Sequence, residues 1–136
     1  MSQNDIGYSL FVPSLPRSAL CLMIPRALVA ASLKPFILSI LSAGPSYGYQ
    51  IIQRVQECTH GKIQYTTSTL YPVLHSLENK GLLESYWREV ENAPRRKYYR
   101  LTPKGSRALE QEKRQWMDVH AALMTLWAPQ PGLSPA

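Results

Sequence analysis

The stretch TTSTLYPVLHSLENKGLLESYWREVENAPRRKYYRLT, residues 66–102, decides the fold. Its first half places Leu70, Val73, Leu74 and Leu77 at i, i+3, i+4 and i+7, a single apolar stripe along an α-helix. The polar run Thr66-Thr67-Ser68-Thr69 offers side-chain oxygens to the free N–H groups at the start of that helix. Pro72 falls near the first turn, where a missing donor costs little, and Gly81 supplies the stop. The second half changes period. Leu83 to Val90 and Lys97 to Leu101 are rich in aromatic and branched residues, and Glu91-Asn92-Ala93-Pro94 reads as the loop between two paired strands.

Upstream, Leu28, Leu33, Phe36, Ile37, Ile40 and Leu41 recur at helical spacing between Ile24 and Ala43, before Gly44-Pro45. Pro35 inside this segment predicts that the helix proper begins near Leu33 or Lys34. Ser46 is the expected cap of a short second helix carrying Ile51, Ile52 and Val55, which ends at Thr59-His60-Gly61. Downstream, Thr102-Pro103 has the form of a helix start, and that helix can run to Trp127 before Pro129, Pro131 and Pro135.

Three helices leading into a hairpin and a long last helix define a mainly α (α+β) fold: a winged helix-turn-helix with a two-stranded wing and a C-terminal dimerisation helix. The expected organisation is an extension over 1–22, the winged domain over 23–102, the dimerisation helix over 103–128 and a tail over 129–136. Every strong pattern starts after Met23, an alternative point for translation to begin. A chain of 136 residues with 45% apolar content supports one core.

The net charge of +6 favours a polyanionic partner, although a membrane surface or an acidic protein would satisfy the same electrostatics. Location narrows the choice. Between Arg88 and Arg107 there are seven Lys/Arg against two Glu, so the basicity gathers on the wing. Arg95, Arg96 and Lys97 are expected to project from the hairpin tip as flexible cations that meet phosphates or a narrow minor groove, anchored by Tyr98 and Tyr99. On the exposed side of the third helix, Thr67, Ser68, Tyr71, His75 and Asn79 can touch base edges or phosphates; an ordinary capped, polar helix face would look the same.

No apolar run approaches the roughly 20 residues that cross a bilayer. Cys21 and Cys58 lie far apart and form no Cys-x-x-Cys pair, which argues against a disulfide framework or a zinc knuckle and for a reducing cytoplasm. Cys58-Thr59-His60 imitates half a metal site without further ligands. His75 and His120 have no identifiable acidic partner, so no catalytic constellation emerges, and neither an enzyme nor a bound metal or cofactor is expected.

Four ordered motifs carry a family resemblance: Pro45-Ser46-Tyr47-Gly48-Tyr49-Gln50-Ile51-Ile52; Thr69-Leu70-Tyr71-Pro72-Val73-Leu74 with Leu77-Glu78; Gly81-Leu82-Leu83; and Pro94-Arg95-Arg96-Lys97-Tyr98-Tyr99-Arg100-Leu101-Thr102 with Lys104-Gly105. Together they resemble the PadR family of bacterial regulators over about 33–127. Ser68 stands where the family usually has glycine before Thr-Leu-Tyr, and Asn92-Ala93 replaces the usual wing-loop glycine. The resemblance implies a homodimeric winged-helix repressor with its third helix in the major groove of double-stranded DNA and its wing beside the backbone. It implies DNA contacts by Tyr49 and Tyr71, with Lys97 in the basic wing. Thr69, beside Thr67 and Ser68 in the polar cluster that opens the third helix, is counted with them as a DNA contact on the residues alone. It also implies response to a small aromatic or lipophilic effector.

The last helix adds its own pattern. Leu109, Trp116 and Leu123 recur at intervals of seven, with Val119 and Leu126 at the intermediate d-like positions of the heptad and Met117, Ala122, Met124 and Trp127 alongside. This seam is expected to pack against a second copy, setting two reading helices about one duplex turn, roughly 34 Å, apart on a palindromic operator. Trp116 near the two-fold offers a face for a flat aromatic effector, or serves as a plain interface tryptophan. The rival to DNA is an acidic protein partner bound by the same winged surface.

Overall fold

The computed structural model describes residues 24–129. The N-terminal extension, the alternative start at Met23, Cys21 and the tail beyond Pro129 lie outside the described residues. The elements run α1 (Arg26–Ser42), β1 (Ser46–Tyr47), α2 (Gly48–Cys58), α3 (Thr67–Asn79), β2 (Leu83–Val90), β3 (Ala93–Leu101) and α4 (Pro103–Trp127). The strands form one antiparallel sheet in the order β1-β3-β2.

Helix α1 starts earlier than expected, at Arg26, and passes through Pro35. The proline removes the donor that would reach the exposed Ala31, a cost of about 3 kcal/mol in a helix interior. Burial of Leu33, Ile37, Leu38, Ile40 and Leu41 outweighs it, at roughly 1.5–3 kcal/mol per fully buried side chain. These residues meet Ile51, Ile52 and Val55 of α2, Leu70, Leu74 and Leu77 of α3, and Leu83 and Tyr99 of the sheet in one core. Tyr65, in the α2–α3 connection, closes this core; its hydroxyl bonds the Ser32 hydroxyl at 2.8 Å and donates to the Val29 carbonyl at 3.1 Å. Burial pushes its phenol above the ordinary value, against the Ser32 hydrogen bond.

Two local expectations are corrected. Ser46 does not cap α2; it pairs with Tyr99 in the sheet, and Tyr47, paired with Tyr98, is the residue before the helix. The Tyr47 N–H is taken by the Gln50 side-chain carbonyl at 3.2 Å. The wing loop is also shorter than expected, because β3 begins at Ala93, leaving Glu91-Asn92 as the turn. Asn92 adopts the left-handed conformation (φ 61), which its short polar side chain tolerates.

Helix α3 begins at Thr67 behind Thr66, whose hydroxyl accepts from the Thr69 N–H at 3.3 Å. Pro72 lies in the second turn, where its missing bond falls on the exposed Ser68. Helix α4 is capped by Thr102, whose hydroxyl accepts from the Gly105 N–H at 3.0 Å and donates to the Gly81 carbonyl at 2.6 Å. A β-carbon at Gly105 would fall on the Leu82 carbonyl oxygen, so this glycine lets α4 start hard against the α3–β2 turn. Leu109, expected on the dimer seam, is instead buried in its own subunit. It sits in the first turns of α4, where the helix still lies over the core. Further along, α4 leaves the body of the molecule, held to α1 by Lys34 and Glu112 at 3.3 Å.

Candidate nucleic-acid interface

The sheet register assigns the wing side chains to two faces. Leu83, Ser85 and Trp87 of β2 stand opposite Leu101, Tyr99 and Lys97 of β3 on the face that continues into the core. Glu84, Tyr86 and Arg88 stand opposite Arg100, Tyr98 and Arg96 on the other face, beside Tyr47 of β1. Between the Arg88–Arg96 and Val90–Ala93 pairs, β3 carries Pro94 and Arg95 where β2 carries Glu89 alone. This is a β-bulge, a place where a strand accepts proline and re-aims its next side chain.

The cations are therefore not at a flexible tip. Arg95, Arg96 and Lys97 lie in β3, and each is laid over an aromatic ring: Arg95 over Trp87 at 4.7 Å, Arg96 over Tyr47 at 4.5 Å and Lys97 over Tyr99 at 5.7 Å. Arg88 lies over Tyr98 at 5.5 Å and Arg100 over Tyr86 at 4.9 Å, with Tyr86 and Tyr98 stacked at 5.9 Å. Only Arg100 of these five has a salt-bridge partner among the described residues, Glu84 at 2.6 Å. Arg88 and Arg96 even face one another across the strands, a like-charge pair that costs stability unless an anion answers it.

Between the wing and α3 lies a cleft of about 340 Å³ lined by Tyr47, Tyr71, His75, Trp87, Arg95, Arg96, Lys97 and Tyr99, with no carboxylate among them. Tyr71 and His75, one helical turn apart, form its α3 wall, their rings 6.4 Å apart. Tyr71 is set by Gly48: a β-carbon there would stand 2.5 Å from the phenolic oxygen, so the glycine leaves the room the ring occupies at the start of α2. Tyr99 forms the floor. Its hydroxyl is buried without a hydrogen-bond partner, and burial, with the negative charge of Glu78 and the neighbouring Tyr71, pushes its phenol up to about 12.

Of the residues singled out in the sequence, the fold thus brings Tyr71, His75, Arg95, Arg96 and Lys97 to one cleft. Tyr49, 58% exposed, Thr67, Ser68 and Thr69 stand outside it on the first turns of α2 and α3, and Asn79 is exposed at the far end of α3. Trp87 and Tyr47 also line the cleft without having been singled out as contact residues, Tyr47 standing only within the first quoted motif. Counting back from the hairpin turn would have placed Trp87 beside the cations, but the bulge at Pro94-Arg95 hides the register from such a count.

On α4, Trp116, Val119, Leu123, Leu126 and Trp127 are exposed, Leu126 by 75% and Trp127 by 69%. Trp116 donates from its indole nitrogen to Glu112 at 3.2 Å and borders a second cleft, about 410 Å³, with Ser32, Pro35, Phe36, Ser39, Ile40, Arg54 and Cys58. Among the described residues no helix is long and apolar enough to cross a membrane, and no His, Cys, Asp and Glu cluster could hold a metal ion.

A wing whose cations, Arg100 apart, have no acidic partner among the described residues, set beside a helix-turn-helix, defines the class of winged-helix DNA-binding proteins. The profile of the Transcriptional regulator PadR-like family matches residues 37–111, and the chain belongs to that family. It is 44% identical over 59 residues to Transcriptional regulator Rv3488 of Mycobacterium tuberculosis, covering 43% of this chain and 54% of that one. A transcriptional regulator from Clostridium thermocellum superposes with a TM-score of 0.68 at 30% identity, over 78% of this chain and 99% of the other. A PadR family regulator from Eggerthella lenta superposes with a TM-score of 0.64 at 34% identity, over 76% and 88%. The chain is accordingly a DNA-binding transcriptional regulator and not an enzyme, and the acidic-protein alternative gives way to that assignment.

Proposed function

We propose that the chain acts as a homodimeric repressor that grips a palindromic operator through α3 and the wing and lets go when a small aromatic or lipophilic compound binds. The observation that carries the reading is the carboxylate-free cleft of about 340 Å³ between α3 and the wing, with three cations that have no acidic partner within the described chain. A polyanion supplies what they lack. Thr67, Ser68, Thr69, Tyr71 and His75 then face the duplex from α3, Tyr49 from α2, and Arg95, Arg96 and Lys97 from the wing.

The dimer reading rests on the exposed stripe Trp116, Val119, Leu123, Leu126 and Trp127, too apolar to be left in water. On this reading residues 23–102 form the DNA-binding unit, 103–128 the dimerisation helix, and the protein works in the cytoplasm. The cleft beside Trp116 is the candidate effector site, because an indole face and Phe36 line it.

Binding of a labelled duplex measured against salt tests the core of this reading. A log-log line with a negative slope, flattened by replacing Arg95, Arg96 and Lys97 with Ala, is expected. Sedimentation should give a dimer that Leu123→Asp converts to monomer. A strictly monomeric wild type, or one indifferent to every duplex at low ionic strength, would remove the proposal. Selection of operator DNA from random duplexes, repeated with candidate aromatic compounds, identifies the site and the effector.

A further inference from the structure

We propose that Trp87 is a positioning residue for DNA binding: its indole holds the Arg95 guanidinium in place for a backbone phosphate. The inference rests on the DNA-binding reading of the cleft and adds a part that the charge pattern does not contain. Trp87 is 56% exposed, an unusual place for the largest side chain, and it stands at the lip of the cleft formed with Tyr71 and His75. The core does not explain it, since the apolar floor of that sheet face ends at Tyr99.

What explains its place is the pairing with Arg95. In an unbroken ladder Arg95 would stand across from Glu89 and tend to pair with that carboxylate. The bulge at Pro94-Arg95 breaks the register, and Arg95 comes to lie 4.7 Å over the Trp87 ring with no salt bridge. A guanidinium held by an aromatic ring rather than by a carboxylate has no anion occupying its N–H groups, and those are the groups that bind a phosphate in a two-pronged way. Side-chain freedom that binding would otherwise remove is already removed in the free protein, which favours affinity. Arg96 is held similarly by Tyr47, through both ring and hydroxyl, so the wing presents its cations pre-set.

A double-mutant cycle on duplex affinity tests this, with thermal melts showing that each variant is folded. Arg95→Ala is expected to lower affinity about tenfold, the order of one charge-assisted contact. Trp87→Ala should lose a similar factor, Trp87→Phe should recover most of it because a ring remains, and Trp87→Ala placed on Arg95→Ala should cost less than about twofold more. Indole emission should change when duplex is added to wild type, and that change should shrink in Trp87→Phe. Wild-type binding with unaffected Trp87→Ala, or with single losses that multiply in the double variant, overturns the positioning role while leaving the DNA reading intact. A wild type that binds no duplex overturns both.

Discussion

Arg96 is bound to Tyr47 twice, donating to its hydroxyl at 2.8 Å and lying 4.5 Å above its ring. The pair joins the wing to the two-residue strand that leads into α2, and Tyr47 also meets Tyr98 edge-on at 5.4 Å. Tyr47→Phe removes the hydrogen bond and keeps the ring, so it should cost about 0.5–1.5 kcal/mol of stability. Tyr47→Ala removes both and frees Arg96. It should melt several degrees lower and bind duplex more weakly than Tyr47→Phe. Equal affinity of the two variants would show that the stack does nothing for binding.

Most of this fold was open to reading in the sequence because periodicity reports burial. Leu70, Leu74 and Leu77 of α3 lie where their spacing put them, and Thr102-Pro103 starts α4 as its capping chemistry requires. The failures have physical causes. Two residues, Ser46 and Tyr47, are too few to show a strand period. Pro94 read as loop because proline interrupts ladders, yet a bulge accommodates it, and the cations next to it became strand residues. Leu109 fits a seven-residue repeat, but such spacing does not say whether the covering surface comes from the same subunit or another. The aromatic partners of the cations depend on cross-strand register, which lies beyond any local pattern.

Gly48→Ala tests how Tyr71 is set. The added β-carbon would approach the phenolic oxygen to 2.5 Å and the adjoining ring carbon to 2.7 Å, so the ring must swing or α2 must shift from α3. Overpacking of this kind costs about 1–3 kcal/mol, partly offset by roughly 1 kcal/mol of better helix propensity. A net loss of a few degrees in Tm and weaker duplex binding are expected. Adding Tyr71→Ala should return the Tm toward that of Tyr71→Ala alone but should not restore DNA affinity. Unchanged melting of Gly48→Ala would mean that the ring has room to spare.

Glu112 uses its two oxygens differently: one faces Lys34 of α1 at 3.3 Å and ties α4 to α1, while the other accepts from the Trp116 indole within α4 at 3.2 Å. Glu112→Gln keeps an acceptor for the indole and loses only a partly exposed ion pair, so its effect on stability should stay below about 1 kcal/mol. Glu112→Ala releases Trp116 as well. Its tryptophan emission should shift, and self-association measured by sedimentation should weaken more than in Glu112→Gln. Identical spectra for the two variants would detach the carboxylate from any part in orienting Trp116.

Tyr99 carries a polar group that the protein buries without a partner. Removing such a hydroxyl spares a desolvation penalty of about 1–3 kcal/mol, against a small loss of packing. Tyr99→Phe should therefore melt at the wild-type temperature or above it at neutral pH. The alkaline range gives a second reading of the same group. Its phenol is raised to about 12 in the folded protein, against an ordinary value of 10, because burial and the charge of Glu78 disfavour the phenolate. Between these values the unfolded chain has lost the proton that the folded chain still holds. Folding stability must then fall as pH rises from about 10 to 12. Denaturant titrations across that interval should show a steeper decline for wild type than for Tyr99→Phe. Parallel declines would place the Tyr99 hydroxyl in contact with water or a donor.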